Sequence, residues 1–330
     1  MGPGAGLAPE SGVMNTPAQA TAFPQFIAAG EALIDLIVQP GSSDQWTSRC
    51  GGATWNVARV LAAQGIPSAF AGAISQDAFG EALWQASAHA GLDLRFLQRV
   101  ARSPLLAVVH ALQPPQYFFV GDDSADLHFS VVTLPAGWQA NCGWAHFGGI
   151  SLTREPLADT LVALASDLKR KGWRISFDPN FRNVMDSRFD STLRTMVQLA
   201  DVIKVSDEDL SGLFRTADTQ AALDTLRRWN PLACVLFTRG AEGARLHLRT
   251  SCWQARPPPV TVVDTVGAGD ASMGGLIASL LRHPQADPAD HLRAAVAAGA
   301  VACTVSGAHP PSNAQVQALA PKVTVQSDMG

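Results

Sequence analysis

DTVGAGDASMGGLIASLL, residues Asp264 to Leu281, joins a glycine-rich turn to an apolar helix, with an aspartate at the join. Met273, Leu276, Ile277, Leu280 and Leu281 recur at helical spacing, and Val260 to Val263 ahead of the turn reads as the end of a buried strand. A strand-to-helix junction is therefore expected here. Gly267 and Gly269 remove side chains where the backbone must bend. They leave the N–H groups of residues 267 to 270 bare at a helix N-terminus, where the positive end of the dipole lies. Such a turn is an anion site by construction. Asp270 has two readings there. It is an acidic residue favoured by the helix dipole at a tight turn, or a base set beside a phosphate cradle, as phosphoryl transfer to a hydroxyl requires. The stretch is not a Walker A loop, since no lysine and hydroxyl residue follow the glycines. It is not a dinucleotide fingerprint either, since Ser272 stands where a third glycine would be.

The chain around this stretch has 330 residues and 47% hydrophobic content, enough for a sizeable core. A formal charge of −4 gives no basic footprint, which disfavours nucleic acid or an anionic membrane as partner and points to a small molecule. Five scattered cysteines without CxxC spacing indicate neither a disulfide framework nor a zinc site. No apolar run reaches bilayer length and residues 1–22 lack a signal-peptide pattern, so a cytoplasmic location is expected. That leader, rich in Gly, Ala, Pro and Ser, is expected to be disordered ahead of one domain at 23–330.

Phe26 to Val38 reads as an apolar strand interrupted by Gly30 and Glu31, with Asp35 set between Ile34 and Leu36. A carboxylate there needs a partner or solvent on an edge. Gly51 and Gly52 precede a helix that stops at Gly65. Asn56 in its first turns is a cap or a hydrogen-bonding partner for a sugar hydroxyl. The following alternation of strand and helix implies a parallel sheet covered on both faces. It breaks between Pro104 and Phe129, where a hairpin insertion reads as a lid or a dimer interface. Further on, Asp178, Asn180 and Arg182 follow the carboxyl end of a strand, the favoured place for ligands of open α/β sheets. Asp178 with Arg182 is equally readable as a structural ion pair. Ser206 N-caps a helix with Asp207, Glu208 and Asp209 in its first turn, and Gly240 with Gly243 marks a tight turn between two strands.

GGATWNVA, DPNFR, KVSDEDL, FTRGAEGA, DTVGAGDASMGG and ACTVSGAHPP, in that order over Phe26 to Pro311, resemble the PfkB or ribokinase-like family of carbohydrate kinases, and within it the bacterial fructokinases. The resemblance implies a three-layer α/β/α sandwich of ribokinase type, with a mainly parallel central sheet and a small β lid. It also implies an ATP-dependent kinase acting on a hydroxymethyl group of a monosaccharide, fructose first, with 2-keto-3-deoxygluconate kinase or ribokinase-type activity as alternatives. A non-catalytic binding regulator on the same fold is the rival of another class.

Carried over by resemblance, Asp270 is the base, and the N–H groups of Gly267, Ala268 and Gly269 hold the transferring phosphoryl group. Asp35, Gly51, Gly52 and Asn56 match sugar-binding positions. Arg182 and Ser206, with Thr238, Gly240 and Gly243 of the nucleotide turn, match ATP and phosphate positions. Mg2+ accompanies ATP. Asp264, with the backbone of Val266, Ala302, Val305 and Gly307, falls on the loop that binds a monovalent cation such as K+ in some members. The lid implies a homodimer. Two departures stand out. The usual NxxE reads Ser206 to Asp209, SDED, leaving Asp209 an indirect Mg2+ role, and the lid segment Tyr117 to Asp126 carries no arginine, which favours neutral sugars.

Overall fold

The computed structural model describes residues 2, 22–112, 115–140 and 143–328; nearly all of the leader read as disordered at 1–22 lies outside them. In chain order the elements are β1 Phe26–Ala29, β2 Leu33–Val38, β3 Trp46–Gly51, α1 Ala53–Ala63, β4 Ser68–Ser75, α2 Ala78–His89 and β5 Leu97–Val100. Next come β6 Leu106–Leu112, β7 Pro115–Val120, β8 Trp144–Gly148, α3 Leu157–Arg170, β9 Arg174–Asp178, α4 Asp190–Leu199, β10 Val202–Ser206 and α5 Asp207–Phe214. The chain continues through α6 Thr219–Trp229, β11 Cys234–Thr238, β12 Ala244–His247, β13 Cys252–Arg256, α7 Ala268–Arg282, α8 Pro288–Ala302, α9 Asn313–Leu319 and β14 Thr324–Asp328.

Among the described residues these strands form two sheets. The large one runs β14-β13-β12-β11-β10-β9-β8-β1-β4-β5, parallel from β11 to β5 and antiparallel beyond β11. Both of its faces are buried, which is why its strands read as continuous apolar runs. In β1, Ile27 and Ala29 join the core under α3, α4 and α6, while Phe26 and Ala28 join the core under α1, α7 and α8. Three layers result, as expected.

Helix α7 is central to the second core. Leu276 and Ile277 are fully buried, each worth about 1.5–3 kcal/mol relative to exposure. Gly274 meets Val60 of α1, and Gly275 meets Ala294 and Ala298 of α8, so closely that a side chain at either would overlap its neighbour. This close approach seats the start of α7 beside the start of α1.

The small sheet runs β3-β2-β6-β7 and departs from expectation. Phe26 to Val38 is not one strand: the chain turns at Gly30 to Ala32, and β2 leaves the large sheet to pair with β3 and β6. The insertion at 104–129 therefore provides only β6 and β7 of the lid. The segment that ends at Gly51 is a lid strand rather than a bare helix approach. A second correction concerns Val260 to Val263, which is no strand; Val262 and Val263 are mostly exposed. Pro257, Pro258 and Pro259 end β13 and cannot donate to a ladder, so the glycine turn is entered from an irregular segment.

Candidate active site

The start of α7 stands between two cavities. One, of about 490 Å³, lies under the lid: Leu33, Ile37, Ala107, Val109, Tyr117 and Phe119 wall it on the lid side, and Gly267 and Asp270 reach it from α7. The other, of about 560 Å³, is lined by Thr238, Gly240 and Gly243 of the β11–β12 turn, by Pro257 to Pro259, and by Val262 and Val296. Ala268 and Gly269 close its inner end. Gly267, the N-cap, sits at φ 79°, a left-handed conformation that glycine adopts without strain. One backbone group differs from expectation. The Ala268 N–H donates to the Thr265 carbonyl at 3.2 Å, so it is not bare in this state.

Asp270 is 8% exposed, and its Oδ2 accepts from Asn56 Nδ2 at 2.9 Å. Burial pushes its carboxyl above the usual range, while the Asn56 hydrogen bond and the charges of Lys204 and Arg182 pull it back. Asn56 is thus a partner that orients the aspartate. Its Oδ1 accepts from Arg59 Nη1 at 3.4 Å, and Arg59 also donates to the Ala308 carbonyl while stacking 4.3 Å over Trp55.

Asp35 lines the same cavity from β2. Burial lifts its pKa to about 6, against the opposing pull of Arg182. Gly51, its neighbour on β3, has no side chain because a methyl there would overlap the Asp35 carboxylate. Gly52 is the N-cap of α1, where a Cβ would press on the Glu31 carbonyl. Arg182 lines the lid-side cavity rather than the second one, its Nη1 donating to Asn180 Oδ1 at 2.8 Å and to two backbone carbonyls. Asp178 does not pair with Arg182 but with Lys204.

Asp264 lines the lid-side cavity too. Its Oδ1 accepts from the Val266 N–H and its Oδ2 from the Gly307 N–H, and the Val263 N–H reaches the Cys303 carbonyl. The segments at 263–266 and 303–307 are thereby stitched side by side.

Ser206 and Asp209 line neither cavity. They form a capping box at the start of α5, Ser206 Oγ accepting from the Asp209 N–H and Asp209 Oδ2 from the Ser206 N–H. Asp209 Oδ1 accepts from the Phe181 N–H at 2.7 Å, so both carboxylate oxygens are engaged by backbone N–H groups. Among the described residues no group of three acidic, histidine or cysteine side chains forms a metal cage. Mg2+ needs none where nucleotide phosphates and water complete its shell.

Two buried charged residues escaped the sequence reading of the site, Glu31 in the lining of the lid-side cavity and Lys204 behind the glycine turn. Glu31, 2% exposed, accepts from the Ala53 N–H at the start of α1 and from the Ser151 N–H, tying the sugar-side glycines to the β8 end; burial raises it to about 7. Its signal was a charge breaking an apolar strand pattern. Lys204 carries the same kind of signal, a lysine within the buried parallel strand VIKVS.

The chain matches the model of the pfkB family carbohydrate kinases over residues 25–315. It belongs to the pfkB family of carbohydrate kinases. Within that family it is 32% identical over 290 residues to a fructokinase of Klebsiella pneumoniae, covering 84% of this chain and 93% of the relative. A fructokinase of Xylella fastidiosa with bound ATP superposes with a TM-score of 0.81 at 30% identity, covering 91% of this chain and 99% of that one. An aminoimidazole riboside kinase of Salmonella enterica, bound to aminoimidazole riboside and an ATP analogue, superposes with a TM-score of 0.79 at 28% identity, over 89% of this chain and 99% of that one. As a family member the chain is a sugar kinase on a ribokinase-like α/β fold. No helix among the described residues is long and apolar enough to cross a membrane.

Proposed function

We propose that this kinase transfers the γ-phosphoryl group of ATP to a hydroxymethyl group of fructose, with Asp270 as base. One observation carries the reading: a buried aspartate and a helix N-terminus stand together between a cavity under a lid, carboxylates among its lining, and a second cavity edged by a glycine turn. The sugar sits in the first, with Asp35 accepting from its hydroxyls and the apolar lid face excluding water. The nucleotide lies in the second, its base against Val262, Val296 and the prolines and its phosphates toward the turn. Asp270 takes the hydroxyl proton as the sugar oxygen bonds to the γ-phosphorus and the bond to the β–γ bridging oxygen breaks, releasing ADP. The N–H groups of Gly267 and Gly269 stabilise the oxygens of the group in flight, joined by that of Ala268 once its bond to Thr265 is released. Mg2+ arriving with the nucleotide would supply neutralisation of the phosphate charge.

Charge supports a neutral acceptor. Glu31, Asp35, Asp264 and Asp270 line the sugar cavity against the one cation Arg182 among its described lining residues, an environment unfavourable to a sugar acid. A riboside is the second reading, favoured by the aromatic pair Tyr117 and Phe119 on the cavity wall, with ring centroids 5.6 Å apart. K+ at the stitched 263–266 and 303–307 segments and a lid-paired homodimer complete the proposal. Phe118 and Val120 are half exposed on edge strand β7, a surface that pairing would cover. Coupled ADP release over fructose, tagatose, ribose, 2-keto-3-deoxygluconate and aminoimidazole riboside tests the reading. Highest kcat/KM on fructose is expected, and no turnover on any acceptor would shift the assignment to a binding regulator.

A further inference from the structure

Lys204 is a buried cation that the reaction above does not use. It is 5% exposed on β10, lines neither cavity, and approaches the glycine turn from the sheet side. A Cβ on Gly269 would stand 3.0 Å from its Nζ, so the ammonium rests against the turn itself. The same Nζ lies 3.1 Å from Asp178 Oδ2, 3.3 Å from Asp178 Oδ1 and 3.5 Å from Asp209 Oδ2.

Burying an ammonium is expensive, and holding those two carboxylates is an incomplete reason for it. Asp209 already accepts from the Phe181 and Ser206 N–H groups, and Asp178 Oδ1 accepts from the Asn180 N–H. Besides facing Asp178 Oδ2, which accepts no hydrogen bond among the described residues, the ammonium provides a fixed positive charge directly behind the glycine turn.

We propose that Lys204 is a positioning residue for phosphoryl transfer, acting through the Gly267 to Gly269 turn and Asp270: it props the turn and backs the anion site with positive charge. The inference rests on the sugar-kinase reading. The surroundings keep the charge in place. Asp178 from β9, Asp209 from α5 and Asp270 from α7 face Lys204 and hold its pKa up against desolvation, while buried His146 from β8, bonded to Ser176, is pushed down to about 3 and stays neutral. Asp270 in turn faces Asn56 from α1, Asp178 from β9, Arg182 from the segment after β9, Asp209 and Lys204; the two cations and the amide favour its ionised form, and Asp178 and Asp209 oppose it. Removing the Lys204 charge therefore moves the Asp270 titration, and with it the acid limb of kcat/KM, to higher pH.

The test compares wild type with Lys204→Met/Asp178→Asn, in which no unpaired carboxylate is left at position 178. Thermal melting, ADP affinity by calorimetry, kcat and the pH profile are read together. We expect a folded double variant that binds ADP within about threefold of wild type and loses about thirtyfold or more in kcat, and Lys204→Met alone to show its acid limb displaced upward. If that variant does not fold, Lys204→Met alone carries the kcat and ADP-binding readouts at pH 6, where Asp178, whose pKa burial raises to about 7, takes up a proton. A kcat within about threefold of wild type, an unmoved acid limb in Lys204→Met, or a loss confined to ADP binding would each overturn the inference. Wild type without turnover on any acceptor would instead overturn the kinase reading beneath it.

Discussion

Replacing Asp270 by Asn isolates the base from everything around it. Asn has nearly the same volume, so the close seat of α7 on α1 is undisturbed, and its amide oxygen accepts the Asn56 Nδ2–H bond that Asp270 Oδ2 accepts at 2.9 Å. The variant also removes a buried charge whose carboxyl burial pushes upward, so folding stability is not expected to fall. Only proton abstraction is lost. A positioned general base is worth about 10²–10⁴-fold, or about 3–5 kcal/mol of barrier. The expected outcome is a kcat lower by about 10³-fold, with the sugar KM and ADP affinity changed by less than about threefold. Coupled ADP release measures the first, calorimetry the second and thermal melting the fold. A folded Asp270→Asn protein with kcat within about tenfold of wild type would refute the assignment of the base. In the wild type, the same burial places the acid limb of kcat/KM above the ordinary aspartate range, with activity lost as pH falls through it.

Asp35→Ala is expected to raise the fructose KM by about tenfold or more while ADP affinity stays constant, since Asp35 lines the lid-side cavity only; calorimetry with each ligand separates the two. Glu31 has a folded pKa raised to about 7 from 4.5, so the folded state binds the extra proton between those values. Its penalty is absent below pH 4.5 and complete above about pH 7, lowering stability by about 3 kcal/mol across that window. Glu31→Gln should flatten that part of the stability profile in denaturant titrations from pH 4.5 to 8, and an unchanged slope would show that Glu31 is not the titrating group. Ser206→Ala removes the capping-box acceptor for the Asp209 N–H and should lower stability by about 1 kcal/mol, read from the denaturant midpoint. Phe118→Glu, placed on the exposed face of β7, should convert a lid-paired dimer to a monomer by light scattering; a wild type that is already monomeric would remove the dimer from the proposal.

The sequence alone determined those features whose causes are local. The glycine turn, the amphipathic run of α7 and the Ser206 cap each depend on neighbours within one or two helical turns, so periodicity and capping rules reach them. Asp270, Asp35 and Asn56 were legible as a set because the ordered motifs resembled a family, and the fold then brought all three to one cavity. Tertiary structure decided what depends on partners far along the chain. Val260 to Val263 has strand composition, yet the prolines before it and the lack of a ladder partner leave it irregular. Leu33 to Val38 looks continuous with β1, and only its pairing with β3 and β6 turns it into the lid and aims Asp35 into the cavity. Lys204 and Asp209 show the same limit most sharply. Four charged side chains separated by up to 92 positions, from Asp178 to Asp270, set one another's ionisation because the sheet and two helices bring them together, and no window along the chain contains them all.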